Sequence, residues 1–144
     1  MSNLSPDLFL RIRVRHGHYC PMSTLGGRLG AAALSALGAI DGELTACYHI
    51  DTCATDGIAL ATGCLPEEGR LMVWNVGRHR LELRCGDGRG IGVELTPTAL
   101  ERAAVCRKQL DAGGDADEVL AALRLGTADE LIALTPLVGE RNDA

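Results

Sequence analysis

HGHYCPMSTLGGRLG, residues 16–30, sets how the rest of this 144-residue chain is read. It places His16, His18 and Cys20 at alternating positions, then a proline that forces a turn, then a glycine-spaced helix start. On an extended segment residues two apart point the same way, so all three side chains can leave one side of the backbone. Imidazole and thiolate together suit zinc, nickel or another borderline metal. Cys20 also stands just before a helix start, where the positive end of the dipole lowers a thiol pKa. That placement suits a nucleophile as well as a ligand.

Downstream, Ser23 or Thr24 can cap a helix running to about Leu37, with Gly38 as its left-handed terminator. Glycines 26, 27 and 30 would each cost about 1 kcal/mol in an exposed helix, so something packs close to this backbone. Gly26, Gly30 and Ala33 share a face, against which another helix, a sheet or the same helix of a second subunit could lie. Upstream, Leu8, Leu10, Ile12 and Val14 alternate with Phe9, Arg11, Arg13 and Arg15, which favours a strand by period, with a short helix as the alternative. The three arginines read either as a solvated face or as a positive collar drawing an anionic substrate to the neighbouring site.

Further along, ELTACYHI (43–50) has the β-branched, alternating character of a strand, and Cys53 to about Ala61 has helical period with Asp56 in its first turn and Gly63 as its stop. His49, Asp51, Cys53 and Asp56 thus gather around a strand-to-helix junction, a common place for a site; the alternative is that Asp51 only caps the helix and Cys53 is buried. A straight helix would hold Cys53 and Cys64 roughly 16 Å apart along its axis. Only one of the two should then ligate within a subunit, unless the chain folds back.

Three strands follow, at residues 70–75, 78–84 and 90–95, read as a meander with turns at Val76-Gly77 and Gly86-Asp87-Gly88. GDGRGIG (86–92) precedes a strand and reads as a hairpin turn, not a nucleotide loop. His79 reads as a cross-strand surface residue. Thr96 and Pro97 open a helix to about Ala112, Asp115 with Glu118 a second to Gly126, and Thr127 with Glu130 a third that Pro136 ends. These helices show apolar faces and no chemistry, and Cys106 reads as a small core hydrophobe. The organisation is a metal-binding core over residues 1–95, a helical extension over 96–138 packed on the core or on a dimer partner, a frayed start at residues 1–6 and a loose tail at 139–144.

Composition sets the outer limits. With 47% hydrophobic and 23% charged residues, one globular core is expected. The net charge of −5 and a single lysine, Lys108, argue against a nucleic-acid surface. No apolar run is long enough to span a bilayer and no signal-type start appears, so a cytoplasmic protein with six reduced cysteines is expected.

HGHYCP with Gly26, Arg28 and Gly30, DTCATDGI at 51–58, TGC at 62–64, Gly69 with Leu71, and Gly77-Arg78-His79 together resemble the FmdE family of formylmethanofuran dehydrogenase proteins, over residues 16 to about 95. The resemblance implies an α/β (α+β) core of helix, strand, helix and three strands with a mixed sheet, similar to the catalytic domain of glyceraldehyde-phosphate dehydrogenase. It also implies a homodimer and a cleft lined by His16, His18, Cys20, Asp51, Cys53, Asp56 and Cys64, often holding a metal such as zinc. Members occur with the molybdenum or tungsten enzyme that handles formylmethanofuran. This chain departs from the pattern at Met22, where glycine is usual, at His49, where glutamate is common, and at LPEEG (65–69); no paired Cys-x-x-Cys follows residue 95.

Three functions follow as expectations. The first is a metal-binding protein with zinc or another divalent transition metal on a set drawn from His16, His18, Cys20, Cys53 and Cys64, led by His18, Cys20 and Cys53, with Asp51 or Asp56 behind them. The second is a cysteine-dependent enzyme on a small one-carbon or acyl substrate, with Cys20 or Cys53 as nucleophile and Asp56 in the catalytic group. The third is a non-catalytic accessory or metal-delivery subunit of a molybdoenzyme.

Overall fold

The computed structural model describes residues 6–18 and 20–137. The expected frayed start, apart from Pro6, and the 139–144 tail lie outside the described residues, as does Tyr19. The elements run α1 (Pro6–His16), α2 (Pro21–Leu37), β1 (Thr45–Tyr48), α3 (Ala54–Thr62), β2 (Leu71–Val73), β3 (Arg80–Arg84), β4 (Gly90–Leu95), α4 (Pro97–Asp111), α5 (Ala116–Leu125), α6 (Ala128–Leu131) and β5 (Ile132–Pro136). The class is mixed α/β, as expected.

The first segment is a helix, not a strand. Leu8 and Ile12 are buried while Leu10 and Val14 are exposed, the spacing of one helical face. Asp7 in the first turn and Arg13, Arg15 and His16 in the last suit the helix dipole. Alternation over seven residues could not separate the two periods. Residues 8, 12 and 16 lie on one stripe, so the helix carries His16 inward along the line that buries Leu8 and Ile12.

α2 is buried on most of its surface and forms the centre of the molecule, as an apolar helix without a polar face must. Its glycines have their reason in α3 of the same chain. A Cβ on Gly26 would run into the Ala54 carbonyl, one on Gly30 would sit 2.6 Å from Ala61 Cβ, and one on Gly57 of α3 would meet the Ser23 carbonyl. Gly27 instead makes room for the Ile12 side chain of α1. Close approach of the two helix backbones fixes where both of them begin.

The sheet has the order β2-β1-β3-β4-β5. β1 is parallel to β2, with Ala46 opposite Leu71, and antiparallel to β3, with Ala46 opposite Leu83. The expected meander is therefore corrected at its first turn. The amides of Trp74, Val76 and Arg78 donate to carbonyls of Tyr48 and His49 at 2.7, 3.0 and 3.2 Å, so the chain passes over the end of β1 and places β3 on its other side. The turn at residues 86–88 does join β3 to β4 as a hairpin, with Gly88 at φ +96° and the Arg89 amide donating to Asp87 Oδ1.

The last third also differs from an all-helical extension. α6 ends at Leu131, and the apolar residues that follow pair with β4 as β5, Ile132 opposite Leu95. Leu120, Leu123, Leu131 and Ile132 join the same core as Leu25, Leu29 and Tyr48. Arg28, buried in α2, donates to the carbonyls of Leu123 and Arg124 at 2.8 and 2.9 Å, satisfying the end of α5. Cys106 is buried and its thiol donates to the Val119 carbonyl at 3.4 Å, the core role expected of it. Among the described residues no helix is long and apolar enough to cross a membrane.

Candidate metal centre

Three helix ends meet beside α4. His16 is the last residue of α1, and Cys20 and Cys53 are the residues immediately before α2 and α3. Gly17, at φ +96°, lets the chain leave α1 directly after His16 and turn back towards Cys20. One ligand atom from each of His16, Cys20 and Cys53 lies within 4.8 Å of the other two, a spacing one ion can draw together. Cys20 is 2% exposed, whereas Cys53 is exposed, so the cluster faces solvent on the Cys53 side.

The histidine is held for the purpose. Its Nδ1 lies 2.8 Å from Asp56 Oδ2, and Asp56 Oδ1 accepts from Arg15 Nε at 3.1 Å. Arg15 also grips Glu67 with both terminal nitrogens, at 3.2 and 2.8 Å, and these carboxylates hold its guanidinium pKa above the ordinary value. Among the described residues, His16 Nε2 is buried without a hydrogen-bond partner. A carboxylate on one ring nitrogen fixes the tautomer that leaves a lone pair on the other, as second partners of metal-ligating histidines do.

The two thiols are neighbours, and the effect shows at Cys53. Burial, and then the charge of Cys20 beside it, push the Cys53 thiol up from its ordinary value. At Cys53 desolvation and a like charge outweigh the helix terminus. Arg107 of α4 counters this, placing Nη2 3.7 Å from Cys20 Sγ and acting favourably on the Cys53 thiolate.

The other expected site residues separate. His18 is exposed, its ring tilted against that of His16 at 4.4 Å between centroids; it does not belong to the three-residue group, and α1 running to His16 with a left-handed Gly17 after it replaces the extended segment expected there. Asp51 is exposed, its amide donating to Asn75 Oδ1, and the cap on α3 comes from Thr52, whose Oγ1 accepts from the Ala54 amide at 3.2 Å. Cys64 is fully buried in the core at the far end of α3, its thiol pushed up by desolvation. The hydroxyls expected to cap α2 donate instead to the Cys20 carbonyl, Ser23 at 3.2 Å and Thr24 at 2.9 Å. Met22 is partly buried against the core. Arg107 and Glu67 carry no local pattern that would mark them in the sequence: 87 and 52 residues separate them from Cys20 and Arg15.

A family model described as FmdE, Molybdenum formylmethanofuran dehydrogenase operon, matches residues 15–134. A protein of Archaeoglobus fulgidus named as a probable S-adenosyl-L-methionine-binding protein is 32% identical over 94 residues, 60% of this chain and 26% of that relative. The chain thus spans about a quarter of the length of the curated relative it matches. Among solved structures, a tungsten formylmethanofuran dehydrogenase FmdE-like protein from Syntrophus aciditrophicus has the same fold, with a TM-score of 0.67 at 21% identity over 91% of this chain and 71% of that one.

Proposed function

This chain belongs to the FmdE family, and on that premise we propose that it binds one divalent transition metal, zinc for preference, through His16 Nε2, Cys20 Sγ and Cys53 Sγ. The observation that carries the reading is the His16 ring: Asp56 engages its Nδ1 at 2.8 Å, its Nε2 is buried and unpartnered among the described residues, and a ring nitrogen lies within 4.8 Å of both thiols. Two thiolates and a neutral imidazole make a donor set that zinc favours, and a metal held by three protein ligands would keep a position open for water or substrate. Bound there, the metal supplies Lewis-acid chemistry. His16 and Cys20 hold it from the buried side, Asp56 orients the imidazole, and Arg15 with Glu67 fixes Asp56. Protein purified without a histidine tag should carry, or take up, about one zinc per chain, and C20S and C53S should lose it; less than about a tenth of an equivalent, with no uptake on titration, would sink the reading.

A second reading uses the same residues as Cys-His-Asp machinery, Cys20 as nucleophile, His16 as base and Asp56 as orienting group, acting on a small one-carbon or acyl substrate. The Asp56–His16 contact favours it. The pair of adjacent thiols counts against it, since one nucleophile needs no second thiol whose ionisation opposes its own. Alkylation separates the two: a nucleophile reacts at Cys20 regardless of zinc, whereas ligands are shielded by it.

A homodimer, and an accessory or metal-delivery role beside a molybdenum- or tungsten-dependent formylmethanofuran dehydrogenase, belong to the same proposal. Met72, Val73, Trp74 and Val76 are exposed along and just beyond the edge strand β2, an apolar edge of the kind that supports association. Sedimentation should give a dimer that W74E weakens; a monomer at all concentrations would remove this part. Retention of a molybdoenzyme in pull-down would support the accessory role, and a stable dimer that retains none would count against it.

A further inference from the structure

α4 shows no chemistry in its sequence, yet it brings a cation to the centre. Arg107 sets Nη2 3.7 Å from Cys20 Sγ. Its remaining partner is weak: Nη1 stands 3.9 Å from Asp111 Oδ1, with the two side chains 48% and 70% exposed. The other cation near the cluster is already committed, since Arg15 is held by Asp56 and Glu67.

We propose that Arg107 makes the metal centre a binding site for small carboxylates, one carboxylate oxygen taking the metal's fourth position and the other accepting from the Arg107 guanidinium. This rests on the metal reading of His16, Cys20 and Cys53. A dication on two thiolates and a neutral imidazole is electrically balanced within its own ligand set, and Arg107 brings a cation with free N–H donors beside one of those ligands, Cys20 Sγ. A planar guanidinium with several N–H donors matches a planar carboxylate better than water or a neutral ligand does. The helices α2 and α3 both begin at the cluster, so their dipoles add to the same preference. The exposed Cys53 marks the solvent side from which a ligand of this size can enter.

The test uses the full-length chain loaded with cobalt(II) in place of zinc, its visible d–d and thiolate-to-metal bands read before and after titration with acetate, and with chloride and sulfate as separate arms. Acetate should change the d–d spectrum saturably. At saturating cobalt, R107Q should bind acetate about tenfold more weakly than the wild type, with R107K between the two. Failure to load cobalt would overturn the metal reading and this inference together. Normal loading with no response to acetate, an equal response to chloride, or equal acetate affinity in R107Q would overturn this inference alone. If His18 swings in as a fourth ligand, acetate has no effect and H18Q alters the starting spectrum, which also overturns it.

Discussion

Asp56 Oδ2 lies 2.8 Å from His16 Nδ1, joining the first turn of α3 to the last residue of α1 across 40 positions of sequence. That contact engages one imidazole nitrogen and leaves the other, and it ties the candidate metal site to the packing of α3 on α2. Asp56 is itself restrained by Arg15 at 3.1 Å, so the histidine is presented by a chain of charges and not by its own backbone alone.

Replacing Asp56 with Asn should therefore weaken metal binding without dismantling the fold. The amide keeps the shape, loses the carboxylate charge beside His16 Nδ1, and loosens the hold on Arg15. Zinc affinity measured by competition with a chromophoric chelator should fall about 10–100-fold, with far-ultraviolet dichroism unchanged. Affinity equal to that of the wild type would mean that Asp56 does not orient a ligand.

The helix crossing that positions Cys20 and Cys53 should tolerate no side chain at Gly57. A Cβ there meets the Ser23 carbonyl and the Gly27 amide of α2, backbone atoms that can move only if α2 and α3 separate. G57A should lose about 2–3 kcal/mol or more in urea unfolding, at the upper end of overpacking costs, and should also lower zinc affinity. Stability within about 0.5 kcal/mol of wild type would contradict the close crossing.

Arg28 carries a different load. Its guanidinium is buried, its pKa lowered by desolvation, and it bonds the last carbonyls of α5. R28M keeps the stem but leaves those carbonyls short of a donor, so a loss of about 2–4 kcal/mol is expected. Hydrogen exchange should rise first in residues 116–125. An unchanged exchange pattern there would show that α5 is held by its apolar face alone.

Much of this fold is legible in the sequence because its signals are local. Pro21 and Gly38 bracket α2, Thr96-Pro97 opens α4 with the Thr96 hydroxyl accepting from Ala99, and Asp115 caps α5 through Glu118. The site is legible as a composition, in His16, Cys20, Cys53 and Asp56, but its geometry is not. Leu8 to Val14 fits both periods, and the choice of helix over strand is what turns His16 inward and leaves His18 outside. Strand order escapes for a related reason: nothing local says that residues 74–78 cross the end of β1. Arg107 cannot be read at all, since its meaning lies wholly in where α4 packs.

Two histidines away from the metal centre should make the protein acid-sensitive. Burial, the largest cause in each case, holds His49 and His79 below the ordinary value near 6.5. His49 Nε2 and His79 Nδ1 are buried without hydrogen-bond partners. As pH falls, the unfolded chain takes up these protons before the folded one, so their contribution is complete above about pH 6.5 and declines below it. The unfolding midpoint of the metal-free protein should drop between about pH 7 and pH 5.5, and the double variant H49Q/H79Q should flatten the slope. A midpoint that holds level or rises over that interval would overturn the assignment.

The six thiols should separate by exposure in a single labelling experiment. Cys53 is exposed, Cys47 half-buried, and Cys20, Cys64, Cys85 and Cys106 buried; burial pushes Cys64 and Cys106 up as well, so both accessibility and ionisation protect them. Alkylation of the folded, metal-free chain at neutral pH should modify Cys53 first, Cys47 next, and Cys64 only at the rate of unfolding. Zinc should suppress labelling at Cys53, hold Cys20 silent and leave Cys47 unchanged, because Cys47 faces Glu82 and Arg84 on the sheet. Peptide mapping by mass spectrometry reads each site separately. Protection by zinc at Cys64 with Cys53 still reactive would place the ion at the other end of α3 and exclude the three-helix site.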